Sequence, residues 1–304
     1  MNGDMGRFFG GLGVGIDCPN VVLEAKKSET FFVTGKKTEL VTSFAKRFLE
    51  TYNINANVSI NVKEAIPEHA GLGSGTQLAL AVASSLAKLF NISASIKELS
   101  LAMGRMQRTG VGTAIFEQGG FVVDGGKTIQ NGTILSESLP PLIFRQQFPE
   151  NWKFVVAIPD VEKGLAKTEE KNAFAKALPM PKEVVGKICW LIMMKLLPSL
   201  VEHEIKGFGD ALTTIQVVVG DCFADVQGGT FSSLAAKETI DFMKTSGAYG
   251  IGQSSWGPAV YGLVQGQAQA KLLQSQVETF LKDNGSGQVF IASPDNCGAV
   301  IKHT

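Results

Sequence analysis

Apolar positions recur along this chain with two different periods. In TELVTSFAKRFLETYNI, residues 38–54, the side chains of Leu40, Val41, Phe44, Phe48, Leu49 and Tyr52 fall on one face at helical spacing. In NVSINVKEAI the period drops to two, and Val58, Ile60 and Val62 point one way, which predicts a half-buried strand. QLALAVASSLAKLF, residues 77–90, is apolar nearly all round, the pattern of a central, buried helix. QAKLLQSQVETFLK predicts an amphipathic helix with Leu272, Leu273, Val277 and Leu281 on one side. NVVLEA, TFFVTG, GGFVVDGG, WKFVVAIP, GQVFIAS and CGAVIK read as strands, and Ser95 and Glu98 fit a capping box at a helix start.

A long helical region is predicted from Lys182 to about Lys206, with further helices to about Ser246. Strands and helices follow in uneven order, so the class is α+β rather than a regular βαβ series. A polar, proline-bearing stretch from Glu137 to Asn151 marks a boundary between domains at 1–150 and 151–304. The opening, MNGDMGRFFGGLGVGIDCPN, goes straight into turn chemistry at Asn2-Gly3, with nothing before it for a hairpin to pair with.

Composition narrows the function classes. Of 304 residues, 44% are apolar and 18% charged, as in a globular protein. Lys plus Arg and Asp plus Glu are balanced at 28 each, so no basic surface points to nucleic acid. Any anionic ligand must be met by local features. Cys18, Cys189, Cys222 and Cys297 form no Cys-x-x-Cys pair and read as small apolar fillers in a reducing cytoplasm. His69, His203 and His303 form no metal-spacing motif. The apolar run ICWLIMMKLL is too short to span a bilayer and contains Lys195, so no membrane partner is expected.

The chemistry concentrates in IPEHAGLGSGTQLAL. A predicted strand runs into Gly71, Gly73 and Gly75, with Ser74 and Thr76 between and after them, and a helix begins at once. That order brings free backbone amides and the positive end of a helix dipole to one point, which suits phosphate. No Lys follows the last glycine, so this is not a Walker loop, nor is it Gly-x-Gly-x-x-Gly.

PEHAGLGSGTQLA resembles the second motif of the galactokinase, homoserine kinase, mevalonate kinase and phosphomevalonate kinase (GHMP) superfamily. The match covers Pro67, Gly71, Leu72, Gly73 and Ser74, while Gly75 stands where a second serine is usual. The resemblance implies a GHMP kinase-like two-domain fold, with an N-terminal ribosomal protein S5 domain 2-like part and a C-terminal ferredoxin-like α/β sandwich. It also implies an anion held by the loop at the domain junction. The kinases' Ser-Gly-x-Asp stretch corresponds here to Thr109-Gly110-Val111-Gly112, which puts glycine in the aspartate's place. Their third motif of small residues corresponds to GIGQSSWGP, where Gln253, Ser254, Ser255 and Trp256 bring donors and an aromatic face.

GRMQRTGVGTAIFEQGGFVVDGG, GIGQSSWGPAVYGL and GRFFGGLGVGIDCPN, with FVVAIPD, EEKNAF and TTIQVVVGDCFADVQGG, together are similar to the β-ribofuranosylaminobenzene 5′-phosphate synthase family. That resemblance implies condensation of 5-phosphoribosyl 1-diphosphate with 4-aminobenzoate or 4-hydroxybenzoate, with loss of carbon dioxide and diphosphate. It implies Mg²⁺ as cofactor; a homodimer is expected separately, because most soluble enzymes that associate do so as symmetric dimers. The reaction needs a cation and a carboxylate near the sugar. Arg7 and Arg108 are the cation candidates, Glu117 and Asp124 the carboxylate candidates, with Asp17 a third, and Trp256 or Phe116 could form the ring slot. Gly71, Gly73, Ser74, Gly75, Thr76 and Gly110, with Gln253, Ser254, Ser255 and Trp256, form the expected substrate-binding set; the metal ligands stay open. Family members usually carry a strand before the Asn-Gly turn. An ATP-dependent kinase and a non-catalytic ligand-binding protein on the same fold remain as alternatives.

Overall fold

The structure, a computed structural model, describes residues 5–131, 133–135, 139–161 and 180–302. The Asn2-Gly3 turn, EEKNAF and His303 lie outside the described residues. The chain divides into two compact units. One, here the N-terminal unit, is made of Gly6–Pro67, Gly73–Gln147 and the tail from Asp295. The C-terminal unit is made of Phe148–Pro294 and takes in the short segment Glu68–Leu72.

In the N-terminal unit, β1 (Arg7–Phe8) and β2 (Gly11–Val14) precede β3 (Val22–Ser28), β4 (Phe32–Gly35), α1 (Thr38–Thr51), β5 (Asn57–Glu64) and α2 (Ser74–Leu89). β5 is the centre of a three-stranded sheet, antiparallel to β3 and parallel to β4. α1 and α2 bury their apolar faces together with that sheet's inner side chains, among them Phe44, Phe48, Ile60, Leu80 and Leu86. The sequence periodicities hold here because burying each such side chain is favourable by roughly 1.5–3 kcal/mol. A short helix α3 (Ile96–Ala102) starts with the capping box at Ser95 and Glu98, and α4 (Val111–Gln118) follows. β6 (Phe121–Asp124) lies between β2 and β9 (Leu142–Gln146), and β7 (Lys127–Gln130) lies between β1 and β8 (Thr133–Ile134). β9 falls inside the polar stretch read from sequence as a boundary: Leu142 and Ile143 are exposed, so no hydrophobic alternation betrays the strand.

In the C-terminal unit, β10 (Trp152–Pro159), β11 (Gly250–Gln253), β12 (Val260–Gln265) and β13 (Gly287–Ala292) form an antiparallel sheet in the order β11-β12-β10-β13. The glycine-rich stretch GIGQSSWGPAVYGL is therefore mostly a hairpin, β11 to β12, with Ser254–Ala259 as its turn. Helices α5 (Lys182–Leu191), α6 (Leu197–Val201), α7 (Ile205–Cys222), α8 (Ala224–Gln227), α9 (Leu234–Thr245) and α10 (Gly266–Asn284) complete the unit, with a π-turn over Ile192–Leu196. α9 and α10 pack on the sheet through Ile240, Met243, Leu273 and Val277. Leu272 departs from expectation and is 61% exposed. The buried set 270, 273, 277 and 281 places it about 145° off the inward direction. CGAVIK forms no strand; Ala299 N–H instead donates to Phe116 O, tying the tail to α4 within the N-terminal unit.

The run ICWLIMMKLL belongs to a longer helical stretch, Lys182–Val201, which is long and apolar enough to cross a membrane by length and composition. The expectation that it is too short is corrected, because apolar residues flank it on both sides. Its Leu191, Leu196, Leu197 and Leu200 are core side chains of the unit, while Trp190, Met193 and Met194 are exposed. All four cysteines are free thiols; Cys18, Cys189 and Cys297 depart from expectation in being exposed rather than core fillers.

Candidate active site

The glycine motif is shared between the units. Its leading half, Glu68–Leu72, is held by the β11–β12 hairpin of the C-terminal unit. Ser254 Oγ–H donates to Gly71 O at 2.9 Å, and Ala259 N–H donates to Ala70 O at 3.1 Å. Gly71 has φ +84°, and a Cβ there would overlap the carbonyl oxygen of Ser254. Only glycine serves at that position. His69, two residues earlier, also adopts a left-handed conformation at φ +58°.

The hairpin turn is internally braced. Ser232 N–H donates to Gln253 Oε1 at 2.7 Å, and Gln253 Nε2–H donates to Ser255 O at 3.0 Å. Both ends of this buried amide are thus engaged within the unit, and Gln253 acts as a clamp on the turn. Ser255 has φ +54°. Trp256 stacks edge-on against Phe223, with ring centroids 5.2 Å apart.

In the N-terminal unit the motif continues into α2. Gly73 is the N-cap residue, at φ +69°, and no side chain caps the helix. Thr76 N–H and Gln77 N–H both donate to Gly73 O. The amides of Ser74 and Gly75 have no acceptor among the described residues and are open to a ligand. The first turn of α4 packs beside this end. Gln77 Nε2–H donates to Gly112 O at 2.8 Å, and a Cβ on Gly112 would lie 3.1 Å from Thr76 Cγ2.

Asp124 is tied to the start of α4 by backbone amides. Gly110 N–H donates to its Oδ2 at 2.9 Å and Gly126 N–H to its Oδ1 at 2.8 Å. Burial raises its pKa above the usual carboxylate range, against the lowering effect of the backbone amides of Gly126, Gly110, Val111 and Gly11. Its carboxyl therefore braces the Gly110 turn at the start of α4. Glu117 lies at the other end of that helix, seven residues or ~10 Å along the axis, and is exposed. The two carboxylate candidates are not brought together. Arg7 extends from β1, and its Nη1–H donates to Thr128 Oγ1 at 3.3 Å. Arg108 lies between α3 and α4, half-buried, two residues before Gly110.

Arg105 was missed in the sequence. Its guanidinium lies against the first turn of α2, with Nη1 3.4 Å from where a Cβ of Gly75 would be. The cue was present, since Arg105 follows Gly104 in the GRMQRTG block from which Arg108 was chosen.

Comparison with known proteins decides what this architecture belongs to. The GHMP kinases N terminal domain model matches residues 39–124, and the GHMP kinases C terminal model matches 196–283. The β-ribofuranosylphenol 5′-phosphate synthase of Methanothermobacter thermautotrophicus is 32% identical, covering 99% of this chain and 94% of its own. The Archaeoglobus fulgidus protein of the same name is 37% identical over 88% of this chain and 84% of its own. The chain belongs to the β-ribofuranosylphenol 5′-phosphate synthase family.

This places a synthase family on the kinase fold. Methanococcus jannaschii mevalonate kinase superposes with a TM-score of 0.66 at 14% identity, covering 95% of this chain and 92% of that one. At that identity the likeness shows the fold alone. The synthase family membership and the packing of Gly112 on Thr76 agree: where the kinases' pattern has aspartate, this site has no side chain.

Proposed function

We propose that this protein condenses 5-phosphoribosyl 1-diphosphate with a 4-substituted benzoate and releases diphosphate and carbon dioxide. The observation that carries this reading is the near-full-length similarity to two synthases, joined to a phosphate-type glycine loop whose neighbour at the kinase aspartate position is Gly112. The relatives' name contains a phenol. Loss of carbon dioxide from 4-hydroxybenzoate yields a phenol, and from 4-aminobenzoate an aminobenzene. The relatives' name therefore favours the hydroxy acid as acceptor, with the amino acid as its close analogue.

In the reaction, the bond between the anomeric carbon and the diphosphate oxygen breaks, and diphosphate leaves with the electron pair. The ring carbon bearing the carboxylate forms the new carbon–carbon bond. The carboxylate then departs as carbon dioxide, and its bonding pair restores aromaticity. The open amides of Ser74 and Gly75 and the dipole of α2 stabilise the charge growing on the leaving group. Arg7 and Arg108 supply positive charge near the sugar phosphate.

Mg²⁺ belongs to the proposal. Among the described residues no group of three or more His, Cys, Asp or Glu side chains could hold an ion. The donor set fits an ion carried largely by diphosphate, with the Ser74 and Thr76 hydroxyls as its protein ligands. When bound, the ion neutralises charge on the leaving diphosphate. We also place the protein in the cytoplasm as a homodimer. Its unpaired cysteines suit a reducing compartment, and the exposed Trp190, Met193 and Met194 offer an apolar face.

The test is release of labelled carbon dioxide from carboxyl-labelled 4-hydroxybenzoate and, in parallel, 4-aminobenzoate. Release should require the phosphoribosyl donor, and ATP should not replace it. Absence of release from a folded protein with either acceptor, or release supported by ATP alone, overturns the reading.

A further inference from the structure

Arg47 and Arg105 are neighbours in the N-terminal unit, and neither forms an ion pair with a carboxylate among the described residues. Arg47 Nε–H donates to Ala102 O at 2.6 Å, at the end of α3. Its Nη1 and Nη2 each lie 3.1 Å from where a Cβ of Gly104 would be, one residue before Arg105. Burial, and then the charge of Arg47, pull the Arg105 guanidinium's pKa down from its ordinary value. Arg105 Nε is sealed from solvent and has no hydrogen-bond partner among the described residues. Native proteins leave few buried donors in that condition, and each one needs an explanation.

The surroundings hold the guanidinium in place. It lies over the ring of Phe44, 5.1 Å from the centroid, which orients its plane. Its Nη1 lies along the flank of the first turn of α2, the turn whose Ser74 and Gly75 amides are open. A Cβ at position 75 would lie 3.4 Å from Nη1, in ordinary contact, which places the guanidinium directly against this turn.

We propose that Arg105, backed by Arg47, grips a phosphoryl group of the sugar-phosphate donor beside the first turn of α2. This rests on the phosphoribosyl-transfer reading and adds to it a binding residue outside the glycine motif. Two neighbouring cations without an acid favour an anion between or before them. With Nε sealed, Nη1 and Nη2 form the fork that meets phosphate oxygens in bidentate fashion, which lysine cannot do. The aromatic acid is the less suitable occupant. Its carboxylate must leave as neutral carbon dioxide, and a clamp on that negative charge would oppose the step.

The experiment measures binding rather than turnover. Inorganic diphosphate and ribose 5-phosphate are titrated separately into the wild-type protein, Arg105→Met and Arg105→Lys at fixed ionic strength without divalent ions. 4-Hydroxybenzoate serves as the control ligand, and its affinity should stay within twofold. Arg105→Met should weaken one of the two anions by tenfold or more, and which one names the phosphoryl end that is held. Arg105→Lys should recover only part of the loss. The proposal is overturned if folded Arg105→Met binds both anions within twofold of wild type. Should that variant not fold, a folded Arg105→Lys with wild-type affinity for both anions overturns it equally. Carbon dioxide release does not enter this readout, so the synthase reading and this assignment can fail separately.

Discussion

Ser254 donates its hydroxyl hydrogen to the carbonyl oxygen of Gly71 at 2.9 Å, across 183 positions of sequence. The bond joins the hairpin turn to the leading half of the glycine motif. It gives a polar residue in a glycine-rich turn a defined structural task. Ser254→Ala should lower stability by ~1 kcal/mol. Gly71→Ala should cost more than ~2 kcal/mol, because a left-handed backbone and an overlap with the Ser254 carbonyl act together. Urea unfolding of the two variants checks the order, and equal losses would show that the close approach at Gly71 is relieved by movement.

Gly112 should not accept the carboxylate that a kinase would need there. A Cβ there would lie 3.1 Å from Thr76 Cγ2, so the threonine side chain at the first turn of α2 must give by a few tenths of an ångström. Gly112→Asp is expected to be destabilised by about 1–3 kcal/mol and to gain no ATP-dependent phosphorylation. Denaturant melts and an ADP-release assay provide the measurement. Appearance of ADP formation in the variant would mean that the position is more open than its packing indicates.

Asp124 makes stability depend on pH in an uncommon direction. Its folded pKa is raised, chiefly by burial, above the unfolded value of about 3.9. The folded state therefore binds the proton more tightly than the unfolded state does. That contribution is fully present below the unfolded pKa and is lost as pH rises through the folded one. Asp124→Asn should remove this slope. It should also cost about 1–3 kcal/mol near neutrality, since an amide NH₂ then faces a backbone N–H of Gly110 or Gly126. Unfolding free energies at several pH values from 3 to 8 separate the two effects.

A divalent ion should be needed for turnover without being a resident of the protein. Among the described residues no acid, histidine and cysteine cluster would retain one. Chelation with EDTA should abolish donor-dependent carbon dioxide release, and added Mg²⁺ should restore it fully. The melting temperature without substrates should shift by less than 1 °C, roughly what negligible metal binding by the folded chain implies. A large drop on chelation would point to a structural ion instead.

Much of the fold was legible because its signals are local. The helical repeat from Leu40 to Leu49, the alternation at Val58, Ile60 and Val62, and the Ser95–Glu98 box each lie within a few turns of chain, and each is seen in the structure. The strands β1, β2 and β9 were not legible. They are short and lack buried alternation, and pairing with β7 or β6 defines them. Leu272 was misread because one apolar residue beside a helical stripe looks like a member of it until neighbours set the rotation.

The candidate site divides in the same way. A strand, three spaced glycines, two hydroxyl residues and a helix start announce an anion cradle from sequence alone, since each acts through backbone geometry close at hand. The sequence also showed that the kinase aspartate is a glycine. It could not show that Asp124 is occupied by amides from Gly110 and Gly126, that Glu117 lies at the far end of α4, or that Gln253 is spent on Ser232 and Ser255. Nor could it show that Arg105, with no acceptor for its Nε, faces Gly75 across thirty positions. Local backbone preferences are written in neighbouring residues. Which side chains are left with unmet hydrogen bonds depends on partners far along the chain, and only the tertiary structure brings those partners within 3 Å or keeps them away.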